Sequence, residues 1–509
     1  MSSPKTFDSY GMATGLVYLF NINVGSGVLT MPYAFGNAGW LLSTIILTII
    51  CLVSYITFTF VIDSMAIANA IIKIDAQEYA IKRKKKDGPS SSSVTVIDGN
   101  EEDDIIVDDD DGSIITVSEI DPISKKFNSY STIPEPIELS KIYDITEAIE
   151  FGRMAKLFFE KKGVIFFYLS MIIYLYGDLT IYCAAISKTL RDMTCTYVAP
   201  SCNTTITDAY PCWEKLHISR KAAYRLYVLA VVLVLGPFTF FNLQKTKFLQ
   251  VFTSTFRITG NKIRKQREIT IELVCLFETA FTVMIVLTSI ALIKQRGEGR
   301  PSLTNASGIP AFFGVAVFSF ISHHSLPSII TPIKRKRYLF TFAFIDYLII
   351  LGFYLLVSFT AIFTFRTLND VCVADHKSII PQVSFLEIII PLYPVFTIST
   401  NFPINAITLR NNLRSIIVSS VDSFHSSFVV QQICYPFLAI IPPFLIAIST
   451  ENVGLLVGIV GNYAGICIQC ILPALLIISA RKSVKNIKEH DAYFNELLSY
   501  NKRGRSQSV

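Results

Sequence analysis

What most constrains this chain is a series of long apolar runs that carry almost no charge: Leu41–Ile62, Val164–Tyr174, Tyr338–Phe365 and Val453–Ala480. A helix needs about 20 apolar residues to cross the hydrocarbon of a bilayer. In lipid every backbone N–H and C=O must be satisfied within the protein, so only helices and closed barrels span. Barrel strands are short and alternate apolar with polar residues, whereas these runs are long and uniformly apolar. Of the 509 residues 17% are charged, against roughly a quarter for a soluble domain. The expected class is therefore an all-α polytopic membrane protein, in a lipid bilayer.

The apolar segments predict about ten spans, at roughly 13–35, 39–68, 164–187, 224–241, 269–293, 309–330, 338–365, 383–407, 428–448 and 453–480. Lys5 and Asp8 run into the first span with no small-residue cleavage site, so that span is expected to act as its own signal. The short basic segments Lys334–Arg337 and Lys262–Arg267 and the stretch after Ala480 fall on one side of this topology. That side is the cytoplasm, which places both termini, 1–12 and 481–509, there. The net charge of +6 then reflects topology, and nucleic acid is not expected as a partner. Plasma membrane and endosome or lysosome both remain open as locations.

Spans one and two occupy 13–68, and spans three to ten 164–480. Between them, residues 69–163 hold a basic run (Lys82–Lys86), a serine run (Ser90–Ser93) and an acidic run (Glu101–Asp111). Such composition buries little and predicts a disordered cytoplasmic loop. The polar segment Arg191–Lys221, expected outside the cytosol, holds Cys195, Cys202 and Cys212 together with the sequon Asn203-Thr204-Thr205. A glycan on Asn203 and oxidised cysteines suit that side. Cys372, in another outside loop, makes four disulfide candidates, and spacing does not choose among the pairings.

Two spans break their own helical pattern. The first places Gly25-Ser26-Gly27 in mid-membrane behind Asn21 and Asn23, with Pro32 beyond; the sixth reads Phe318-Ser-Phe-Ile-Ser-His-His-Ser-Leu-Pro327. Glycine frees the backbone and proline removes a donor, so helices unwind at such places and present free N–H and C=O groups. Matched breaks in the two halves of a transporter point to its transport site; the competing reading is that the glycines only allow close packing. The positive N-terminus and negative C-terminus of facing half-helices suit a zwitterion. Its carboxylate is expected at Gly25, Ser26 and Gly27, and its amine near Ser322 and His323. A leucine at Gly25 or Gly27 is expected to abolish transport and leave membrane insertion intact.

The string Asn21-x-x-x-Gly-Ser-Gly with Pro32-Tyr-Ala resembles the first span of the amino acid/auxin permease family, and Phe318–Pro327 is similar to its sixth. Gly458, Gly461, Gly465 and Pro473 fit its tenth. Tyr174-Leu-Tyr-Gly-Asp-Leu, Gly236-Pro-Phe-Thr-Phe-Phe and Phe396-Thr-Ile-Ser-Thr-Asn-Phe-Pro resemble one branch of that family. The resemblance implies a LeuT-type fold: an inverted 5+5 helix repeat with helices 1 and 6 broken around the substrate. It also implies secondary active transport of an amino acid or similar small zwitterion, driven by sodium or protons and without a cofactor. Carried over residue by residue, a sodium site would use Asn21 and Gly25 with Ser399, Thr400 and Asn401, although Asn401 stands where sodium-coupled relatives tend to have threonine.

Asp178, in mid-span, is the competing proton-relay candidate, because a charge in hydrocarbon is costly and faces a cavity or partner. Residues 258–278, with the basic run Lys262–Arg267, have no counterpart in the branch. Either span five is rebuilt from Ile269 onward or the segment is a retained intron. No nucleophile, metal or phosphate motif is present, so no enzyme is expected. The rival function is a membrane receptor of the same fold that senses an amino acid without net transport.

Overall fold

A computed structural model describes residues 9–25, 27–86, 143–196, 210–213, 218–240, 285–290, 292–294, 297–366, 368, 384–420 and 433–484. The first helices are α1 (Met12–Asn23), α2 (Gly27–Ala38), α3 (Trp40–Lys86), α4 (Phe151–Phe158), α5 (Lys161–Thr194) and α6 (Arg220–Leu235). They are followed by α7 (Ile309–Ser319), α8 (Leu326–Ile330), α9 (Leu339–Thr364), α10 (Ser384–Ser420), α11 (Tyr435–Ser449) and α12 (Val453–Val460). Among the described residues strand pairing is limited to two isolated bridges, Tyr10 with Ile333 and Pro211 with Ser219.

Among the described residues six helical segments are long and apolar enough to cross a membrane: Trp40–Asp75, Lys161–Thr194, Arg220–Phe240, Ala306–Ile330, Leu339–Thr364 and Val453–Val484. The pair α1 and α2, bent by 54°, makes a seventh if it is one span. This is the coarse form of the expected architecture, a helical membrane protein. Side-chain distribution follows the same logic. On α3 the outward stripe is Leu41, Ile45, Ile49, Leu52 and Ile56, all exposed, while Cys51, Ser54, Thr57 and Phe58 are buried. The apolar stripe repeats every three to four residues and faces outward, the reverse of a soluble helix.

Small residues let the helices touch. A Cβ on Gly314 of α7 would lie 2.8 Å from the Gly458 Cα, and one on Gly461 3.0 Å from the Gly314 Cα. α7 and the last span therefore meet backbone to backbone. After α12 the last span continues as two π-helical turns, Gly461–Gly465 and Cys467–Ile471. At the turn between α2 and α3, Gly39 has φ +88° and a Cβ there would meet Thr304 backbone at 2.7 Å. Only glycine satisfies both conditions.

The chain divides into two compact units, Met1–Ser64 with Glu150–Val509, and Met65–Ile149. Within the smaller unit the buried Asn69 amide organises the segment before α4. Its oxygen accepts from the Thr146 and Glu147 amides at 3.1 and 2.9 Å, and its nitrogen donates to the Met65 and Glu147 carbonyls. Lys73 Nζ donates to the Asp144 carbonyl at 2.7 Å. Part of the loop expected to be disordered is thus structured: α3 runs on to Lys86, and α4 follows at Phe151. The physical cause is local, because Ile145 and Ile149 in the smaller unit, and Phe151, Met154 and Ala155 in the larger, are all buried, apolar residues hidden in an acidic and polar average. In the larger unit the segment before α1 is tied down as well. The Tyr10 amide donates to the Pro332 carbonyl and the Lys334 amide to that of Tyr10, both at 3.1 Å. Burial, with Tyr18 adding to it, pushes the Tyr10 hydroxyl up to about 12.

Candidate functional site

The break between α1 and α2 begins where intrahelical bonding stops. Val24 N–H still donates to the Phe20 carbonyl at 2.7 Å, and Val28 N–H reaches only the Gly25 carbonyl, at 3.3 Å. The break after α7 is similar: Phe320 and Ile321 fold back on the Val317 and Phe318 carbonyls, and a 3₁₀ turn, His323–Ser325, leads into α8. One side chain joins the two breaks. Tyr354 of α9, fully buried, places its hydroxyl 2.7 Å from the Asn23 carbonyl and 3.2 Å from the Ser319 carbonyl. Asn23 and Ser319 are the last residues of α1 and α7, so the hydroxyl lies at two negative helix ends. Its single hydrogen serves one carbonyl at a time. Phe320 packs on Tyr347 and Tyr354, with ring centroids 6.2 and 5.6 Å away, and Tyr347 OH pairs with Ser322 Oγ at 3.3 Å.

The second wall comes from unbroken helices. Tyr174, Asp178 and Tyr182 stand four residues apart on α5 and so share one face. All three are buried, Asp178 to 2% exposure. Asn405 Nδ2, from α10, donates to Asp178 Oδ2 and reaches Tyr182 OH at 3.4 Å. A buried carboxyl is tolerated when hydrogen bonds meet it. The Tyr174 ring stands 5.5 Å from the His324 ring and 6.4 Å from Phe318. This face therefore looks toward the break after α7.

The sequence-predicted residues divide between these walls and elsewhere. Gly25 is less crowded: among the described residues a Cβ there would meet the Ile22 carbonyl at 3.4 Å, an ordinary contact, and no other atom within 4 Å. Gly27 is a contact glycine, since a Cβ would lie 2.9 Å from the Ser319 Cα. Ser322 is buried at the second break. His323 turns away from α5, its Nε2 2.8 Å from Thr57 Oγ1, and the neighbouring His324 faces Tyr174 instead. The residues of the expected sodium set have these surroundings. Asn21 Nδ2 donates to the Val17 carbonyl of its own helix at 2.7 Å, Asn401 is exposed, and Ser399 is half-buried. The buried amide at the first break is Asn23, whose Oδ1 has no partner among the described residues. Cys195 and Cys212 form a disulfide, with Cα atoms 4.5 Å apart. Ser26, the Thr400 side chain, Cys202, Cys372, Asn203 and residues 258–278 lie outside the described residues.

Sequence reasoning missed Tyr354, the His324 ring, Asn405, Tyr174 and Tyr182 as site residues. A signal existed for the last two, which lie one turn before and one turn after Asp178.

Two broken helices with their open ends brought together, beside a buried carboxyl, characterise membrane transporters. The chain belongs to the family described as transmembrane amino acid transporter protein, whose profile matches residues 8–73 and 127–499. It is 42% identical over 494 residues to transmembrane protein 104 of Gallus gallus, covering 94% of this chain and 89% of that one. To transmembrane protein 104 of Homo sapiens it is 40% identical over 496 residues, covering 94% and 90%. A Drosophila melanogaster homolog is 38% identical over 498 residues, with the same coverage of 94% and 90%.

Proposed function

We propose that this protein is a secondary active transporter that carries an amino acid, or a similar small zwitterion, across its membrane within a LeuT-type repeat of about ten spans. The observation that carries this reading is the Tyr354 hydroxyl resting on the ends of both broken helices, Asn23 and Ser319. It draws the two breaks together; each break ends one helix in carbonyls and begins the next with amides, so groups of both signs lie there for a zwitterion. The substrate carboxylate lies beside Gly25 and its amine at the carbonyls around Phe320–Ser322, opposite Tyr174 and His324.

A proton is the coupling ion this arrangement favours, carried on the Asp178 carboxyl. Asp178 is buried with an amide and a phenol as partners, while the Asn21 amide bonds its own helix and Asn401 is exposed. Uptake of a labelled amino-acid panel by purified protein in liposomes, with the pH and sodium gradients varied separately, tests both parts. Accumulation driven by an inward proton gradient is expected. Amino-acid binding without accumulation under either gradient would contradict transport and leave a sensor.

A further inference from the structure

A second polar cluster lies behind the break, against α3. Ser54 and Thr57, one turn apart on α3, His323 at the break and Gln469 in the π-helical turn Cys467–Ile471 are each at most 5% exposed. Their bonds form a chain: His323 Nε2 to Thr57 Oγ1, and Gln469 Nε2 donating to Ser54 Oγ. Two polar atoms on this chain, His323 Nδ1 and Gln469 Oε1, are buried without a partner among the described residues. Leaving such an atom unpaired is destabilising, and polar clusters of this kind serve a ligand or a bound water.

The hydrogens decide which guest fits. Ser54 donates its hydroxyl hydrogen to the Ile50 carbonyl at 2.7 Å, so the Gln469 amide donates to Ser54 and its Oε1 is purely an acceptor. Thr57 Oγ1 lies 3.0 Å from the Val53 carbonyl and 3.1 Å from that of Ser54. When its hydrogen serves either of them, His323 Nε2 carries the imidazole hydrogen and Nδ1 is also an acceptor. When it serves His323, Nδ1 becomes a donor. A guest with two hydrogens and a lone pair satisfies both arrangements; an ammonium group, having no lone pair, satisfies only the first.

We propose that the crossing of α3, the break after α7 and the π-helical turn is a closed site for one water molecule, bridging His323 Nδ1 and Gln469 Oε1. The bridge fixes the His323 ring against α3, and the next residue, His324, is thereby turned toward Tyr174. This site stands on hydrogen bonding alone and does not depend on the transport reading. π-Helical turns are rare and frequent at functional sites, and this one delivers Gln469.

A high-resolution cryo-electron map of the full chain in nanodiscs tests the site directly. Density within hydrogen-bond reach of both atoms is expected; a map with no density there overturns the proposal. Variants give an independent reading. His323→Gln keeps a donor for Thr57 and deletes Nδ1, and Gln469→Met deletes Oε1. If one guest bridges both atoms, the double variant melts no lower than the less stable single variant. Melting losses that add in full overturn the bridge. Melting wild type in ammonium chloride and in sodium chloride at equal ionic strength separates the guests: equal Tm is expected. A rise specific to ammonium that Gln469→Met abolishes would replace water with an ammonium ion.

Discussion

The two walls of the site are built from different material. The wall at Asn23, Ser319 and Ser322 is made of backbone whose helical partners have run out, held in place by Tyr354. The wall at Tyr174, Asp178 and Tyr182 is made of side chains projecting from the intact helix α5 and answered by Asn405. On the first wall the chemistry belongs to groups that every residue has, so substitutions act through shape. On the second it belongs to single side chains and is removed one residue at a time. This contrast predicts stability defects on one wall and altered ion dependence on the other.

The largest effect is expected at Gly27. A leucine there drives its Cβ to 2.9 Å from the Ser319 Cα, and overpacking of this kind typically costs about 1–3 kcal/mol or more. Gly27→Leu should lower the Tm of the purified protein and its yield, in contrast to the expectation from sequence that insertion is spared. Normal yield and Tm would mean that α2 and α7 are not in contact. Tyr354→Phe comes next. It leaves two buried carbonyls without their shared donor, a loss of about 1–3 kcal/mol, and should also weaken amino-acid binding in a calorimetric titration. Unchanged binding would detach the two breaks from the site.

On the second wall, Asp178→Asn should keep the fold, since an amide oxygen still accepts from Asn405, and should leave Tm within a few degrees. Uptake driven by a pH gradient should vanish. Persistence of that uptake, or its replacement by sodium dependence, would contradict proton coupling at Asp178. The smallest effect is expected from Asn401→Ala. Its exposed side chain should contribute within about 0.5 kcal/mol of stability and leave ion dependence unaltered, while Asn405→Ala, one turn further along α10, should disturb both.

The positions of the breaks were legible in the sequence, because glycine, proline and serine interrupt apolar helices there for reasons that act locally. The phase of the chain through each break was not. Which of Asn21 and Asn23, or of His323 and His324, enters the site depends on how far the backbone turns between helix ends. A 3₁₀ turn advances by 120° per residue and an α-helix by 100°, so neighbours in such a turn face different helices. Tyr354 was hidden differently. α9 carries Phe340, Phe342, Phe344, Phe353, Phe359 and Phe363, and among so many aromatic rings nothing local marks one hydroxyl as bonded across the molecule. Asn405 escaped because its partner Asp178 lies 227 residues earlier. The structured parts of the long loop escaped because a few apolar residues are lost in a charged average.

The central claim, that a substrate occupies the space beside Gly25 between the two breaks, is tested most directly by Gly25→Leu. A Cβ there makes an ordinary contact with the Ile22 carbonyl at 3.4 Å, so the first carbon of the leucine is accommodated and the rest of the side chain is expected to enter the substrate position. Uptake of labelled amino acids into liposomes should be lost in this variant, while yield, membrane insertion and Tm match wild type. Wild-type uptake by a correctly inserted Gly25→Leu protein would contradict the account.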